Sequence, residues 1–202
     1  MSPADEVASP DPTVGIEPLF GRPRTAAFWA ELNDIFFSSS ATKDFDSTEA
    51  RDAFRHRWLG RYLDGDADLA FVAISRPLTA DEMLVGYIVG SLEDPAQSPR
   101  FADLEYFQAL ADVTRSYPAQ LHVNLAASWR GQGIGKRLVS ALAEEVFRRG
   151  ALGLHAITAR GMDNQRFYEA IGFREVGTAE WNGRELVMLG LRSADVLGYR
   201  SQ

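Results

Sequence analysis

Apolar and polar positions alternate along this chain in two rhythms, and the switches between them mark the predicted elements. Short runs rich in β-branched and aromatic residues read as strands: Val14 to Phe20, Leu69 to Ser75 and Leu84 to Leu92. The short polar link Pro77 to Glu82 joins the last two and predicts a hairpin. Helical spacing covers Thr25 to Phe37 and Ser47 to Leu63. Asp46, Ser47 and Thr48 offer the short polar side chains that cap a helix start, and Asp64-Gly65-Asp66 turns the chain out of that helix. Pro95 to Pro99 breaks the pattern. Phe101 to Tyr117 returns to helical spacing until Pro118, which lacks the amide a helix needs.

The second half is more sharply periodic. Gln120 to Ala126 reads as a strand. Ile134, Leu138, Leu142 and Val146 recur every four residues, so Gly135 to Arg149 forms a helix with one apolar stripe. Arg148 and Arg149 suit the negative end of its dipole, and Gly150 stands at its C-cap. Leu152 to Thr158 is a strand, and Asp163 to Ile171 a short helix closed by Gly172. Phe173 to Gly177 and Glu185 to Leu191 are the last strands, joined around Asn182-Gly183. No repeat or linker interrupts the sequence. It predicts one mixed α/β domain over residues 13–192, with helices covering its sheet and a helical insertion, residues 95–118, before the fourth strand. Residues 1–12 are expected to be a disordered lead-in and residues 193–202 a C-terminal tail.

Composition narrows the function. The chain has 202 residues, 46% of them apolar, enough for a real core. No apolar run approaches the roughly 18 residues of a membrane span. The start, rich in Pro, Ser and acid, lacks the segments of a signal peptide. No membrane partner is expected, and a cytoplasmic location is the default. The chain contains no cysteine, so disulfides, thiolate metal sites and a cysteine nucleophile are excluded, and no metal is expected. A formal net charge of −7 argues against a nucleic-acid partner. Yet Arg130 to Arg166 holds seven basic and three acidic residues, a +4 island on an acidic protein. Such an island fits a small anionic ligand, or simply a solvated helix face.

At the head of that island, Arg130-Gly131-Gln132-Gly133-Ile134-Gly135 lies between a strand and a helix. A P-loop would need Gly where Arg130 stands and Ser or Thr where Arg137 stands. A dinucleotide fingerprint would need its third Gly at Lys136 or Leu138, and an acid near residue 155. Both patterns fail. Arg-x-x-Gly-x-Gly remains: glycines that let backbone amides approach an anion, followed by a helix start with its own unpaired amides and positive dipole end. Taken locally, a plain tight turn explains the same residues.

The longer segment Leu121-His122-Val123-Asn124-Leu125-Ala126-Ala127-Ser128-Trp129-Arg130-Gly131-Gln132-Gly133-Ile134-Gly135 resembles the central motif of the GNAT superfamily of N-acetyltransferases. Asn164-Gln165-Arg166-Phe167-Tyr168-Glu169-Ala170-Ile171-Gly172-Phe173 resembles that family's second signature, in the right order and spacing. Trp58-Leu59-Gly60-Arg61-Tyr62-Leu63 and Tyr117-Pro118-Ala119-Gln120-Leu121-His122-Val123 look like bacterial GNAT proteins related to the acetyltransferase-like domain of O-GlcNAcases. The resemblance implies the GNAT fold, α+β with a mostly antiparallel sheet of about seven strands flanked by helices. It also implies acetyl-CoA as co-substrate and a small-molecule or peptide amine as acceptor. The backbone of Leu125, Ala126 and Ala127 would meet the pantetheine arm. Arg130 would flank the pyrophosphate, and the loop Gly131, Gln132, Gly133, Ile134, Gly135 and Lys136 would hold it, chiefly through amides of Gln132, Gly133, Gly135 and Lys136. Asn164 and Phe167 would face the cofactor.

The same resemblance implies direct attack of the amine on the thioester, which agrees with the absence of cysteine. A strand amide near Leu125 would steady the oxyanion. Tyr168 matches the usual acid and lies one helical turn from Asn164, though a buried structural tyrosine fits the same place. The base is not readable. His122 and Asn124 share a strand face, and His122 is either a base or a structural histidine. In the O-GlcNAcase-like relatives an acid is expected where Asn124 stands. Asn cannot take a proton but can orient a water. Glu93 and Asp94 close a strand and read as solvated ends or as bases acting through water; Glu105 is a weaker candidate. The insertion carries Phe101, Tyr106, Phe107 and Tyr117 with Asp94, Asp103, Glu105 and Asp112. It reads as a rim attracting a cationic amine, or as a helix packed by Phe101, Leu104, Phe107 and Leu110. Three functions follow: an N-acetyltransferase, a weak or inactive acetyl-CoA-binding module, and an interaction domain whose tail makes a homodimer.

Overall fold

The computed structural model describes residues 13–77 and 81–197. The expected lead-in, residues 1–12, and the end of the expected tail, residues 198–202, lie outside the described residues, as does part of the hairpin link. Among the described residues seven strands form one sheet: β1 (Thr13–Pro18), β2 (Ala70–Arg76), β3 (Met83–Ser91), β4 (Ala119–Leu125), β5 (Gly153–Ala159), β6 (Arg174–Trp181) and β7 (Arg184–Arg192). Their order is β1-β2-β3-β4-β5-β7-β6, and each pair is antiparallel except β4 with β5.

Helices cover both faces. On one lie α1 (Ala26–Ser39), α2 (Thr48–Arg55) and α3 (Arg61–Gly65), with Leu32, Phe36, Leu59 and Tyr62 buried. Thr25 and Ser47 cap α1 and α2 by accepting from the amides of Phe28 and Ala50. The expected single helix Ser47 to Leu63 carries a π-helical segment at His56–Gly60 between α2 and α3. The amide of Arg61 reaches back to the His56 carbonyl, five residues away. The wider turn sends Trp58 and Tyr62 toward the same partner, His122, in edge-on ring contacts.

The opposite face is covered by α6 (Ile134–Arg148), whose Leu138, Leu142 and Val146 pack on Leu121, Leu154 and Leu189. Next comes α7 (Asp163–Ala170). Gly150 and Gly172, the expected helix stops, take left-handed φ values of 89° and 102°. Asn182 and Gly183 at φ 50° and 70° make the expected tight hairpin between β6 and β7.

The insertion differs from its expected form. Instead of one helix from Phe101 to Tyr117, it folds as a 3₁₀ turn at Pro99–Phe101 and two one-turn helices, α4 (Tyr106–Ala109) and α5 (Ala111–Thr114). Its apolar residues serve the sheet rather than one helix face. The Tyr117 ring lies on Gly153 and Gly190, where an added Cβ would come within 2.6 Å of it. Leu110 and Val113 pack against Gly177 in the same way. The expected tail starts as a further short helix, α8 (Ser193–Leu197).

Candidate active site

The sheet opens in its middle. β4 and β5 share two rungs, Ala119 with Leu154 and Gln120 with His155. Beyond those rungs β4 keeps only its pairing with β3, to Leu125, and β5 only its pairing with β7, to Ala159. The glycine loop sits at the open end. Gly131 and Gly133 have φ of 77° and 76°, and an added Cβ at either would meet nothing within 4 Å. Glycine is therefore needed there for its backbone, not for space. Gly135 is the reverse case, since its added Cβ would lie 3.2 Å from the Phe167 ring and 3.4 Å from Leu125. Gly133 is the N-cap of α6 and brings no side-chain cap, so no cap side chain takes up the first-turn amides.

Arg130 braces this loop. Its Nε donates to the Leu125 carbonyl at 3.3 Å and its Nη2 to Ser39 Oγ at 3.2 Å. Gln132 Nε2 donates to the Ser128 carbonyl at 3.0 Å, and Arg137 reaches the Val14 carbonyl at 2.8 Å. Lys136 and Ile134 stand in the first turn of α6. The Ala126 amide is spent on the Val85 carbonyl at 2.9 Å. The exposed Ala127 opens the 3₁₀ turn that follows.

Across the opening, α7 brings Asn164, Phe167 and Tyr168. Exposed Asn164 accepts through Oδ1 from Thr158 Oγ1 at 2.5 Å. Tyr168 is buried between Phe167 and Phe173, and burial raises its pKa well above the usual phenol value. Its hydroxyl has no hydrogen-bond partner among the described residues.

On the α1 and α2 side lies a cleft of about 410 Å³. Phe36, Phe54, Trp58 and Trp181 wall it, and Ser40 and Thr42 from the chain after α1 form part of its lip. His122 and Asn124 of β4 line it from the sheet, and Asn182 closes one end. Trp58 stands edge-on to both His122 and Trp181, with ring centroids 5.7 and 6.0 Å apart. Asn124 Nδ2 donates to the Tyr87 hydroxyl at 2.7 Å. His122 Nε2 lies 2.9 Å from the Tyr62 hydroxyl. Burial, reinforced by His155 and Arg61, lowers the His122 pKa to about 4, so the ring is neutral at pH 7. None of the described lining residues then carries a charge.

The acetyltransferase (GNAT) family model matches residues 26–173, which contain both the loop and α7. The chain belongs to the GNAT family. No curated protein matches it in sequence. Among solved structures, SsHAT has a similar fold, with a TM-score of 0.65 and 20% identity over 90% of this chain and 98% of that one. A structure of the NatC complex bound to Gag peptide and CoA matches at TM-score 0.61 and 15% identity, over 89% and 98% of the two chains. Agmatine N-acetyltransferase matches at 0.58 and 12%, over 89% and 99%. At these identities the likeness is one of fold.

Set on this GNAT frame, two sequence expectations change. The insertion forms no acidic aromatic rim. Phe101, Tyr106 and Phe107 are buried in the core, and Asp103 forms a bidentate pair with buried Arg61 at 2.8 and 2.9 Å. The Arg61 hydrogen bonds hold the Asp103 carboxyl below its usual range. Glu93 and Asp94 are also occupied: Glu93 accepts from Ser98 and pairs with Arg100, and Asp94 accepts from the Ala96 amide. Glu105 only heads α4. The aromatic walls, Trp58 and Trp181, went unread. Trp58 lies one turn before Tyr62, and Trp181 directly before the Asn-Gly turn, positions that place aromatics beside one another only once the sheet has formed. Among the described residues no helix is long and apolar enough to cross a membrane, and no cluster of three His, Asp or Glu could hold a metal.

Proposed function

We propose that this GNAT protein transfers the acetyl group of acetyl-CoA to a primary amine by direct attack. The observation that carries this is the course of β4: after Gln120 it leaves β5, lines the aromatic cleft with His122 and Asn124, and ends short of the glycine loop. An amine and a thioester held on the two sides of one strand end would meet at its edge. The amides of Gln132, Gly133, Gly135 and Lys136 hold the pyrophosphate, the backbone of Leu125 to Ala127 the pantetheine arm, and Asn164 and Phe167 the opposite wall.

In the reaction the amine nitrogen bonds to the thioester carbon and the carbon–sulfur bond breaks. His122 takes the amine proton; Tyr168 gives its hydroxyl proton to the leaving sulfur, and solvent returns a proton from the one to the other. At neutral pH His122 is neutral and Tyr168 protonated, the forms in which each enters the step; burial also makes His122 a weaker base and Tyr168 a weaker acid, so each proton moves only as the new bond forms and the sulfur leaves. The uncharged aromatic cleft supports an amine with a planar apolar body, on a small molecule or a peptide. The likeness to the NatC and agmatine enzymes supports an amine acceptor of one of these kinds.

Thiol release from acetyl-CoA against a panel of aryl-bearing, polycationic and peptide amines tests the proposal. Release should be fastest with aryl-bearing amines. Calorimetry that detects no acetyl-CoA binding at millimolar ligand would overturn the cofactor assignment. Binding without release from any amine would leave a GNAT binding module, a reading favoured by the lack of a carboxylate among the described lining residues.

A further inference from the structure

The β4 face that lines the cleft continues inward to a buried set of polar side chains. Tyr62, fully buried, lies 2.9 Å from both Gln120 Oε1 and His122 Nε2. Gln120 faces His155 across the last shared rung of β4 and β5. His155 is 1% exposed, and its Nδ1 lies 2.6 Å from the Tyr117 carbonyl. Two of the buried atoms have no partner: Gln120 Nε2 and His155 Nε2.

We propose that these groups form a one-way chain of polarity that fixes His122 with its proton on Nε2 and its lone pair on Nδ1, facing the cleft. A carbonyl can only accept, so His155 Nδ1 carries the proton toward Tyr117. Neutral His155 then presents a bare lone pair at Nε2, and burial keeps it neutral by lowering its pKa to about 4. Gln120 Nε2 makes no hydrogen bond to His155 Nε2, but an NH₂ on the rung facing that lone pair is the compatible end of the amide; the flipped amide would set oxygen against a lone pair in a buried site. That leaves Gln120 Oε1 toward Tyr62, and the Tyr62 hydroxyl donates to it. The hydroxyl has one proton, so its oxygen receives the other bond, from His122 Nε2–H. His122 Nδ1 has no hydrogen-bond partner among the described residues and is not one of the buried unpartnered atoms, so it is the solvent-reached nitrogen of a ring that lines the cleft.

Tyr62, Gln120 and His155 are thus positioning residues that set the protonation of His122 without touching substrate. The charged or titratable groups around His122 are Arg61, Tyr62 and His155. The acetyl-transfer reading enters in one place, where the Nδ1 lone pair takes the amine proton and becomes N–H while the Nε2–H bond to Tyr62 stays in place.

Side-chain ¹⁵N NMR of the whole labelled protein at pH 7 tests the chain without turnover. His122 should be the Nε2–H tautomer and its neighbour His155 the Nδ1–H tautomer; His122 as Nδ1–H overturns the proposal. In Tyr62→Phe the His122 signals should move to a mixture of tautomers. Acetyl transfer should then fall by roughly tenfold to a hundredfold at unchanged acetyl-CoA affinity. An unchanged tautomer in a folded Tyr62→Phe protein also overturns it. Gln120→Glu, with Tyr62 in place, still accepts from the Tyr62 hydroxyl and should keep the native His122 tautomer. The wild-type spectrum decides the matter even if a variant does not fold. The expected tautomers in a protein that acetylates no amine would refute the transferase reading alone.

Discussion

The two halves of the candidate site are built in opposite ways. The proposed cofactor side is one contiguous stretch, Arg130 to Lys136, built from backbone: two left-handed glycines, a helix start without a side-chain cap, and an arginine strut. The proposed acceptor side, the aromatic cleft, is assembled from α1, the π turn, β4 and the β6–β7 hairpin, and is built from side chains. Backbone sites follow from local sequence because the residues that build them are neighbours. Side-chain sites follow from topology, and their specificity can change without disturbing the other half.

The largest effect that would sharpen this contrast is on pH stability. His122 and His155, both on the cleft side, have folded pKa values of about 4 against an ordinary 6.5. The fold favours their neutral forms, so their full stability is present above pH 6.5 and is lost as pH falls toward 4. Fully buried His155 alone should account for up to about 3 kcal/mol. Urea unfolding at pH 7.5 and 4.5 measures the loss, and His155→Gln should flatten it.

Next in size, Tyr168→Phe should lower kcat by about a hundredfold, roughly 2.7 kcal/mol, with acetyl-CoA affinity unchanged. An unaltered kcat would remove Tyr168 from the chemistry. Trp181→Ala should raise the acceptor KM by about tenfold and leave acetyl-CoA binding within about twofold. The smallest effect is the mirror image. Gly133→Ala puts a side chain at φ 76° at a cost of about 1 kcal/mol and should weaken acetyl-CoA binding about fivefold at constant acceptor KM. If Trp181→Ala weakened the cofactor, or Gly133→Ala the acceptor, the two halves would not be separable.

The same division explains what could be read from the sequence. The seven strand runs, the Ser47 cap, the Gly150 and Gly172 stops and the Asn182-Gly183 turn each depend on neighbours in the chain, and all were legible. So was the tight glycine turn at Gly131 and Gly133, where the spacing fits neither a P-loop nor a dinucleotide fingerprint. The insertion was not, because its aromatics are spaced for a helix yet pack against glycines on β5, β6 and β7. The π turn was hidden too, since a widened turn leaves the apolar pattern nearly intact. Nor could the sequence show that Asp103, an acid apparently free to attract a cation, is held by Arg61, 42 residues before it. His122 was legible as a candidate but not as part of a set, because Tyr62 and His155 reach it from other elements.

The two rungs between β4 and β5 also have a mechanical consequence. The sheet is two ribbons riveted at one end, and the Tyr117 ring is the washer pressed on Gly153 and Gly190 beside the rivet. At the other end, among the described residues, no ladder rung ties β4 to β5. A molecule seated in that slot would act as a brace, supplying cross-links that the strands themselves omit. Stiffness should then depend on occupancy: at a ligand concentration a hundred times its Kd the loaded protein gains about 2.7 kcal/mol, and both lips should stiffen together.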